Sequence, residues 1–461
     1  MTITDVLTRS EPGRTVCAGI IGLGDFATAI VGQSRTIPAL DVAVGADADP
    51  EAGRAAFLAA GYAADDIVIC DSLPAALLAM ERGLRVVLAD PMLLMELPLD
   101  VVVEATGDAE AGAAYAADAI GHGKHVAMVN KEADCVVGPI LKQRADAEGV
   151  VYTAVEGDQH GLLMNMVAWA RAIGLDVICG GKFCDSEIRY DPATGALTAQ
   201  GETVRLNPAD AAHFRPMEGR GDAGFVAARA GILGERSRLG EFDYEELAIM
   251  SNATGLLPDT EALHHPTVRL AEVPGVLCPV DEGGLLERAG AIDAVVELRD
   301  TGAPGLGGGV FVVVRCANAY ARETVLMKGD LPTNAARTAA LIYRPYHFCG
   351  VEATLSILVA GLASVATGAS EYAPRVDVAA RARRDLSSGD VVTLEDVDVG
   401  LLPARPVGGD APLPLRLALG NALATSTPRG ALITAAAVVR PSDSFLWALR
   451  AEQDRRFLSA A

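Results

Sequence analysis

A glycine-rich phrase near the start of the sequence has the residue types and spacing to bind the phosphates of a dinucleotide. Residues 22–27 fit the pattern G-x-G-x-x-A and stand between a strand-like run and a helix-like run. The first glycine permits a tight turn, the second lets the backbone approach the pyrophosphate, and the small last residue lets helix and strand pack closely. The alternative is a tight turn with no ligand. The cofactor-binding residues predicted from this phrase are Gly22, Leu23, Gly24, Asp25, Phe26 and Ala27.

An acidic residue follows at the distance expected for ribose recognition. Asp47 ends the second predicted strand, 20 residues after Ala27, and an acid at this place can hold the ribose hydroxyls of NAD. We therefore predict NAD(P)H as the cofactor, with NAD slightly favoured over NADP. Arg54 could still admit a 2′-phosphate. Asp47 could also be a plain acid beside the helix that Asp49 and Pro50 are predicted to begin.

Alternating strand-like and helix-like runs must position these residues. Apolar runs predict strands at 15–22, 40–46, 101–105, 125–129 and 150–155, and helices at 25–34, 109–121 and 138–148. This alternation predicts an α/β fold with an N-terminal doubly wound parallel sheet of the Rossmann type. Strands over 294–298 and 310–316, a buried helix from 353 and a closing helix over 444–458 are also predicted.

Changes in residue composition and pattern along the chain predict further domains. We expect a Rossmann NAD(P)-binding domain at 1–155 and an α+β substrate domain at 156–335. A return segment at 336–372 is expected to pack a helix on the nucleotide domain, and a small β-rich domain with a C-terminal helix should occupy 373–461.

Composition excludes several classes of protein and partner. The 461 residues are 51% hydrophobic and 21% charged, which suits a chain with a large core, and the net charge of −22 argues against nucleic acid or anionic membrane as partner. Residues 1–12 contain no apolar segment typical of a signal peptide, so we expect a cytoplasmic protein. The 8 cysteines show no C-x-x-C and no zinc-like spacing with histidine, so no metal site is predicted.

Several phrases resemble known families. Residues 104–107 (Glu-Ala-Thr-Gly), 123–131 (ending Asn-Lys) and 151–157 (ending Val-Glu-Gly) resemble homoserine dehydrogenase, and residues 384–397 resemble a SAF-type domain. The combination resembles the 1-deoxy-D-xylulose 5-phosphate reductoisomerase-like proteins. The resemblance implies a homo-oligomeric oxidoreductase. It also implies further cofactor-binding residues, namely Ala105, Thr106, Gly107 and Asn130.

Two positions depart from homoserine dehydrogenase. That family carries an Asp and a Lys for the substrate hydroxyl and the proton transfer, and this chain has Phe242 and Glu246 there. We therefore expect a changed substrate pocket.

Hydride transfer also needs a group that gives or takes a proton. The candidate catalytic residues are Lys131, Glu156, Lys182 and His347. Each has a plainer alternative. Lys131 could be a surface lysine paired with Glu132 or Glu156, and Glu156 could be part of a polar loop. Lys182 could be a solvated lysine after two glycines, and His347 part of a turn before a helix.

Neighbouring polar residues are predicted to bind the substrate. Asp158 and Gln159 continue a polar run after an apolar strand and could bind hydroxyl groups, although Asp158 could merely cap a helix. Arg344 is a fork-shaped donor suited to a carboxylate or phosphate, and Lys328 could join it.

The leading hypothesis is an NAD(P)-dependent oxidoreductase that acts on a small, polar hydroxy or carbonyl substrate, which could bear a carboxylate or phosphate. Coupled isomerisation, as in the reductoisomerase-like proteins, is one version of this hypothesis. The alternatives are a homoserine dehydrogenase-type enzyme that interconverts alcohol and aldehyde, and a non-catalytic NAD(P)-binding sensor.

Overall fold

The computed structural model describes residues 13–217, 223–329 and 331–458, with the backbone alone at residues 328 and 329. The N-terminal segment 1–12, on which part of the expected cytoplasmic location depends, lies outside these residues. The chain divides into two compact units. The first comprises the residues up to 161 together with 348–398 and the residues from 404 on, and the second comprises 162–347 and 399–403. No helix within the described ranges is long and apolar enough to cross a membrane.

The first unit is built on a seven-stranded parallel sheet, which confirms the predicted Rossmann-type fold. The strand order is β3-β4-β2-β1-β5-β6-β7. The strands are β1 (Val16–Ile21), β2 (Leu40–Ala46), β3 (Ile67–Cys70), β4 (Arg85–Leu88), β5 (Val101–Glu104), β6 (His125–Met128) and β7 (Tyr152–Ala154). The helices are α1 (Asp25–Ser34), α2 (Pro50–Ala59), α3 (Leu73–Glu81), α4 (Pro91–Met95), α5 (Ala109–Gly121) and α6 (Lys131–Glu148).

The strand order places a topological switch point between β1 and β5. The chain runs outward from β1 through β2 on one side and returns to pair β5 with the other side of β1. Ligands of open α/β sheets bind in the crevice at the carboxyl ends of the strands that flank such a point. The glycine-rich phrase follows β1 and the Ala105–Gly107 phrase follows β5, so both lie at this crevice.

Short polar side chains begin the helices that follow the strands. Asp49 accepts a hydrogen bond from the backbone N–H of Glu51 at 3.0 Å, and Pro50 occupies the first position of α2, as predicted. Asp108 likewise caps α5 through the N–H of Ala111 at 2.7 Å. Side-chain capping fixes where each helix starts, and therefore where the preceding loop must end.

Helix α6 starts at Lys131, seven residues before the predicted start at Gly138. The predicted start was wrong: the helix continues through Pro139, although proline removes a backbone donor and clashes with the preceding turn. The side chain of Gln453 compensates. It accepts from the N–H of Ile140 at 3.1 Å and donates to the carbonyl of Val136 at 2.9 Å.

The second unit contains a nine-stranded mixed sheet. Its main path is β11-β10-β9-β14-β8-β15-β16, and β12 and β13 pair with β14. Helix α7 (Gln159–Ala172) leads into it from the first unit. The strands are β8 (Asp176–Phe183), β9 (Ile188–Asp191), β10 (Ala196–Ala199), β11 (Glu202–Arg205), β12 (Leu257–Pro258), β13 (Thr267–Val268), β14 (Ala291–Asp300), β15 (Val310–Arg315) and β16 (Ala340–Arg344). The helices are α8 (Pro208–Ala212), α9 (Ala223–Leu233), α10 (Glu241–Thr254), α11 (Val273–Val276) and α12 (Ala319–Gly329).

The chain then returns to the first unit through α13 (Ala353–Ala363). Helix α13 packs on β1 so closely that a Cβ atom on Gly361 would lie 2.6 Å from the side chain of Val16. Its Ile357 and Ala360 join the same apolar core as Val16. The core beneath the cofactor crevice is therefore completed by residues distant in sequence.

The last elements are β17 (Val376–Ala382), β18 (Val397–Pro403), α14 (Leu415–Ala418) and α15 (Phe445–Gln453). Strands β17 and β18 form a two-stranded sheet. The guanidinium of Arg450 on α15 is fully buried, and it pairs with Asp377 at 2.6 Å and with Asp454 at 2.7 Å. Because a buried charge is stable only when it is paired, this cluster fixes α15 against β17.

Candidate active site

The turn after β1 has the shape that a pyrophosphate needs. Gly22 has a φ of +85°, and a Cβ atom there would lie 2.6 Å from the carbonyl oxygen of Ala105. A Cβ on Gly24 would meet no atom within 4 Å, so the space before the N-terminus of α1 is open. Ala27 is buried against the sheet. These features fit a dinucleotide, whose phosphates would accept from the free N–H groups of α1. Of the other predicted residues of this turn, Leu23 is buried, Asp25 exposed and Phe26 half-buried.

Asp47 is held at the edge of the crevice by two backbone groups. Its carboxylate accepts from the N–H of Leu23 at 2.9 Å and from the N–H of Asp49 at 3.0 Å. The side chain is half-buried, and each oxygen keeps a second lone pair. Asp47 is therefore fixed next to the glycine-rich turn with acceptor capacity for ribose hydroxyls.

A buried hydrogen-bond network shapes the phrase after β5. Asn130 caps α6 through the N–H of Ala133 at 3.0 Å. Its side-chain amide donates to the hydroxyl of Thr106 at 3.1 Å and to the carbonyl of Asp108 at 2.8 Å. Ala105 contacts Gly22, and Gly107 has a φ of +68°. The structure thus brings Ala105, Thr106, Gly107 and Asn130 to the same crevice as the glycine-rich turn.

Glu104 lies beneath this network. The side chain is fully buried, and one carboxylate oxygen accepts from the N–H of Thr106 at 3.1 Å. Helix α5 packs directly on it, because a Cβ on Gly112 would lie 2.2 Å from the amide nitrogen of Asn130 and 2.7 Å from Glu104. Burial raises the pKa of Glu104 to about 7, although hydrogen bonds from Thr106 and Asn130 partly oppose this shift.

Lys131 and the polar run after β7 meet in the first unit. The ammonium of Lys131 lies 3.9 Å from the carboxylate of Asp158, and about a fifth of the Lys131 side chain is exposed. The alternative pairing of Lys131 with Glu132 or Glu156 stays a prediction. Asp158 in turn lies 3.7 Å from the ring of His160, which is buried.

The other two residues of the polar run are held by backbone contacts. The N–H of Glu156 donates to the hydroxyl of Ser356 at 2.8 Å, and Glu156 is half-buried. Gln159 is buried, and its N–H donates to Asp158 at 2.8 Å. Gly157 between them leaves no room for a side chain, because a Cβ would lie 2.8 Å from the carbonyl of Phe348.

In the second unit, Lys182 sits in a buried charge cluster rather than in solvent. Its side chain is 0% exposed, so the alternative of a solvated lysine is wrong. The ammonium hydrogen-bonds the carboxylate of Glu246 and lies 2.8 Å from the carboxylate of Asp243. The ring of Phe242 lies 5.3 Å from the same nitrogen.

The electrostatics of this cluster keep Lys182 charged. Burial alone would lower its pKa, but the carboxylates of Glu246 and Asp243 outweigh burial and raise the pKa above the usual range. The pKa of Asp243 is raised by burial, although Lys182 opposes the shift. The glycines before Lys182 serve packing: Cβ atoms would lie 2.6 Å from Leu256 at Gly180 and 2.0 Å from the Asp293 carbonyl at Gly181.

Arg344 lies on the same face of the sheet as Lys182. Lys182 pairs with Val310 on β15, and Val310 pairs with Arg344 on β16, so the three residues form one row. Two strand spacings place Lys182 and Arg344 about 10 Å apart along this row. His347 follows, and its ring lies against Gly308. The side chain of Lys328 is outside the described part of the chain, so its predicted role stays untested.

A cavity of about 410 Å³ adjoins the charge cluster in the second unit. Asp243 and Phe242 line it next to Gly240, and the remaining lining is polar for the most part. The other lining residues are Asp185, Ser186, Gln200, Glu235, Arg238 and Leu239. A cavity of this size and polarity suits a small hydrophilic ligand.

Sequence reasoning assigned no role to Glu104, Asp243 or Glu246. Signals for two of them were present. Glu104 opens the phrase that resembles homoserine dehydrogenase, and Glu246 replaces a lysine of that family. An acid in place of a catalytic lysine predicts a cation nearby, which the structure identifies as Lys182. Asp243 had no comparable signal.

Comparison with known proteins agrees with this architecture. Residues 58–153 match the family model of the homoserine dehydrogenase NAD-binding domain, and residues 243–353 match that of the catalytic domain of oxidoreductase DRL. The resemblance to homoserine dehydrogenase is thus confirmed for the NAD-binding domain. The resemblances to a SAF domain and to the reductoisomerase-like proteins stay predictions. Among curated proteins, none matches the sequence.

Solved structures with a detectable likeness include three proteins of low identity, and the chain spans about half the length of two of them. They include putative oxidoreductase YvaA from Bacillus subtilis, with 16% identity, coverage of 40% of this chain and 45% of that chain, and a TM-score of 0.26. GenD2 from gentamicin A biosynthesis in complex with NAD has 14% identity, 72% coverage of both chains and a TM-score of 0.31. The WlbA dehydrogenase from Bordetella pertussis, in complex with NADH and UDP-GlcNAcA, has 16% identity, 38% and 47% coverage and a TM-score of 0.27.

This architecture is that of a dinucleotide-binding protein of the Rossmann class. It combines a parallel sheet, a glycine-rich turn and polar residues at the carboxyl ends of the strands. The two family matches extend that class. One match is to an NAD-binding domain, which gives NAD(P)H as the cofactor, and the other is to the catalytic domain of an oxidoreductase.

Proposed function

We propose that this oxidoreductase interconverts a hydroxyl and a carbonyl group on a small, polar substrate and that it prefers NAD(H) to NADP(H). The observation that carries the proposal is the fixed carboxylate of Asp47 beside the glycine-rich turn. A negative charge there accepts from ribose hydroxyls and repels a 2′-phosphate. Arg54 could still admit a 2′-phosphate, but it leaves the negative charge of Asp47 in place.

The chemistry divides between cofactor and protein. When bound, the cofactor supplies or accepts the hydride. The protein must hold the substrate oxygen and move one proton. In the first unit, Lys131 directly follows Asn130, which contacts Thr106, and its partly exposed ammonium lies 3.9 Å from Asp158. We assign the proton transfer at the substrate oxygen to Lys131, with Glu156, Asp158 and Gln159 as polar contacts.

The second unit supports a polar substrate. Its cavity is lined by charged and amide side chains and by Asp243, one of the two carboxylates that pair with the buried Lys182. Because Lys182 stays an ammonium that is paired with Asp243 and Glu246, it positions these acids and does not act as a base. Arg344 on the same sheet face adds a second cation suited to a carboxylate or phosphate on the substrate. We assign to His347, beside Gly308, a supporting acid–base role.

The test is a cofactor titration followed by a substrate screen. NADH and NADPH are titrated calorimetrically, and pools of hydroxy acids, amino acids and sugar phosphates are then screened for NADH formation or consumption. We expect tighter binding of NADH and turnover with one pool. Turnover with rearranged carbon skeletons among the products would support coupled isomerisation, which stays a prediction.

The matched variant is Gly24→Asp. A side chain at Gly24 meets no protein atom, so the fold should be unchanged, but a carboxylate there would face the pyrophosphate. Loss of nucleotide binding with an unchanged unfolding transition is expected. Normal binding by Gly24→Asp would contradict the assigned cofactor site.

A further inference from the structure

A buried carboxylate lies on the nicotinamide side of the predicted cofactor crevice. Asp47 marks the adenosine side, because it follows β2, and the glycine-rich turn after β1 marks the pyrophosphate. A dinucleotide that crosses the switch point must therefore place its nicotinamide half toward the ends of β5 and β6. Glu104 is the last residue of β5 and is 0% exposed.

We propose that Glu104 sets the preference of this enzyme between the oxidised and the reduced cofactor. The oxidised nicotinamide ring carries a positive charge that the reduced ring lacks. A carboxylate in a buried environment attracts that charge more strongly than it would in water, because the surrounding dielectric constant is lower. The inference rests on the proposed placement of the cofactor and adds to it a role for a residue behind the crevice.

Contacts hold the carboxylate of Glu104 in place behind the loop, away from solvent. Its carboxylate accepts a hydrogen bond from the N–H of Thr106, whose hydroxyl accepts one from Asn130. Gly112 on α5 packs directly against Glu104 and Asn130. Glu104 is thus a buried acid whose position is fixed by its neighbours. A fixed charge discriminates between two ligand charges without loss to reorganisation.

The charge on Glu104 changes within the neutral pH range. Burial raises its pKa to about 7, so the carboxylate forms as the pH rises through neutrality. The charged and titratable groups that face it are Glu132 on α6, Tyr115 on α5 and Tyr152 on β7. Glu132 raises the pKa of Glu104 further. The pKa values of both tyrosines are raised above 10, so neither tyrosine titrates in this range.

The experiment is a calorimetric titration of the full chain with NAD⁺, NADH and ADP-ribose at several pH values between about 6 and 8.5, a range that spans the pKa of about 7. For the wild type, the ratio of the NADH and NAD⁺ dissociation constants should rise three- to tenfold with pH. ADP-ribose lacks the nicotinamide, so its affinity should not follow the same trend. A ratio that does not change with pH would overturn the proposal.

Glu104→Gln separates charge from structure. The amide oxygen can still accept from Thr106, but the residue carries no charge at any pH. We expect a constant ratio, equal to that of the wild type at the lowest pH, and unchanged ADP-ribose binding. Glu148→Gln is the matched control, because Glu148 is exposed at the far end of α6. It should behave as the wild type.

The remaining outcomes also test the proposal. If Glu104→Gln keeps the pH-dependent ratio, or weakens NAD⁺ and NADH equally, Glu104 serves only the shape of the loop and the proposal is wrong. If Glu104→Gln does not fold, Glu104→Asp retains the charge and must retain the pH dependence. Failure of the wild type to bind any of the three ligands would instead refute the proposed cofactor site, a result distinct from nucleotide binding without redox discrimination.

Discussion

The ammonium of Lys182 lies 2.8 Å from the carboxylate of Asp243 in the interior of the second unit. Both side chains are buried, and Glu246 pairs with the same ammonium. One ammonium is therefore shared by two acids of helix α10. This arrangement explains why a helix position occupied by lysine in homoserine dehydrogenase can carry an acid here.

Lys182→Met should destabilise the protein strongly. Without the ammonium, Asp243 and Glu246 would be two buried carboxylates with no cation, and breaking a buried ion pair costs about 3–5 kcal/mol. The free energy of unfolding from urea titration measures the loss. Arg189→Met is the control, because Arg189 is exposed in its pair with Glu187, and such pairs contribute about 0–1 kcal/mol. Equal losses for the two variants would contradict the importance of the cluster.

Gly22→Ala should abolish nucleotide binding. The new Cβ would lie 2.6 Å from the Ala105 carbonyl, so the two phrases that line the crevice must separate. Calorimetric titration with NADH measures the effect. Gly123→Ala controls for backbone strain, because Gly123 has a φ of +70° with open space around its Cβ, and strain of this kind costs about 1–3 kcal/mol. NADH binding should survive in Gly123→Ala, and equal binding by both variants would refute the close approach at Gly22.

Asp47→Ser should shift the cofactor preference toward NADPH. The substitution removes the negative charge that opposes a 2′-phosphate, and we expect the ratio of NADPH to NADH dissociation constants to fall about tenfold, which corresponds to about 1.4 kcal/mol. Asp49→Ala is a matched control, since Asp49 also accepts from a backbone N–H but only caps α2. It should cost about 1 kcal/mol of stability and leave the preference unchanged. An unaltered ratio in Asp47→Ser would remove Asp47 from the ribose site.

The stability of the wild type should fall as the pH rises from about 4.5 to 7 because of Glu104. Its pKa is about 7 in the folded protein against 4.5 as the ordinary value, so the unfolded chain loses this proton first and is favoured in that interval. The expected contribution is about 3 kcal/mol, and it should be missing from Glu104→Gln. Urea unfolding at the two ends of the interval measures it. Parallel pH profiles for Glu104→Gln and the wild type would show that Glu104 does not titrate in this range.

The local signals of the first unit were sufficient to predict its main elements. The bounds of α1, β2 and α5 agree with the sequence prediction, because each has a clear apolar period and a polar or glycine boundary. Strands β3 and β4 were not predicted. They are four residues long, and β3 has exposed positions, so neither shows a long apolar period.

The sequence by itself determined the dinucleotide turn, the acid after β2 and the parallel α/β architecture. These depend on residues close together in the chain, whose spacing is set by the local geometry of a strand, a turn and a helix. Only the tertiary structure decided that Lys182 is a buried charge balanced by Glu246, that Gln453 bridges the break at Pro139, and that Glu104 lies under Thr106 and Asn130. Lys182 pairs with Glu246, 64 positions away along the chain, and Gln453 bonds Ile140, 313 positions away. Such pairings follow from burial and packing across the fold, which no local pattern of residues records.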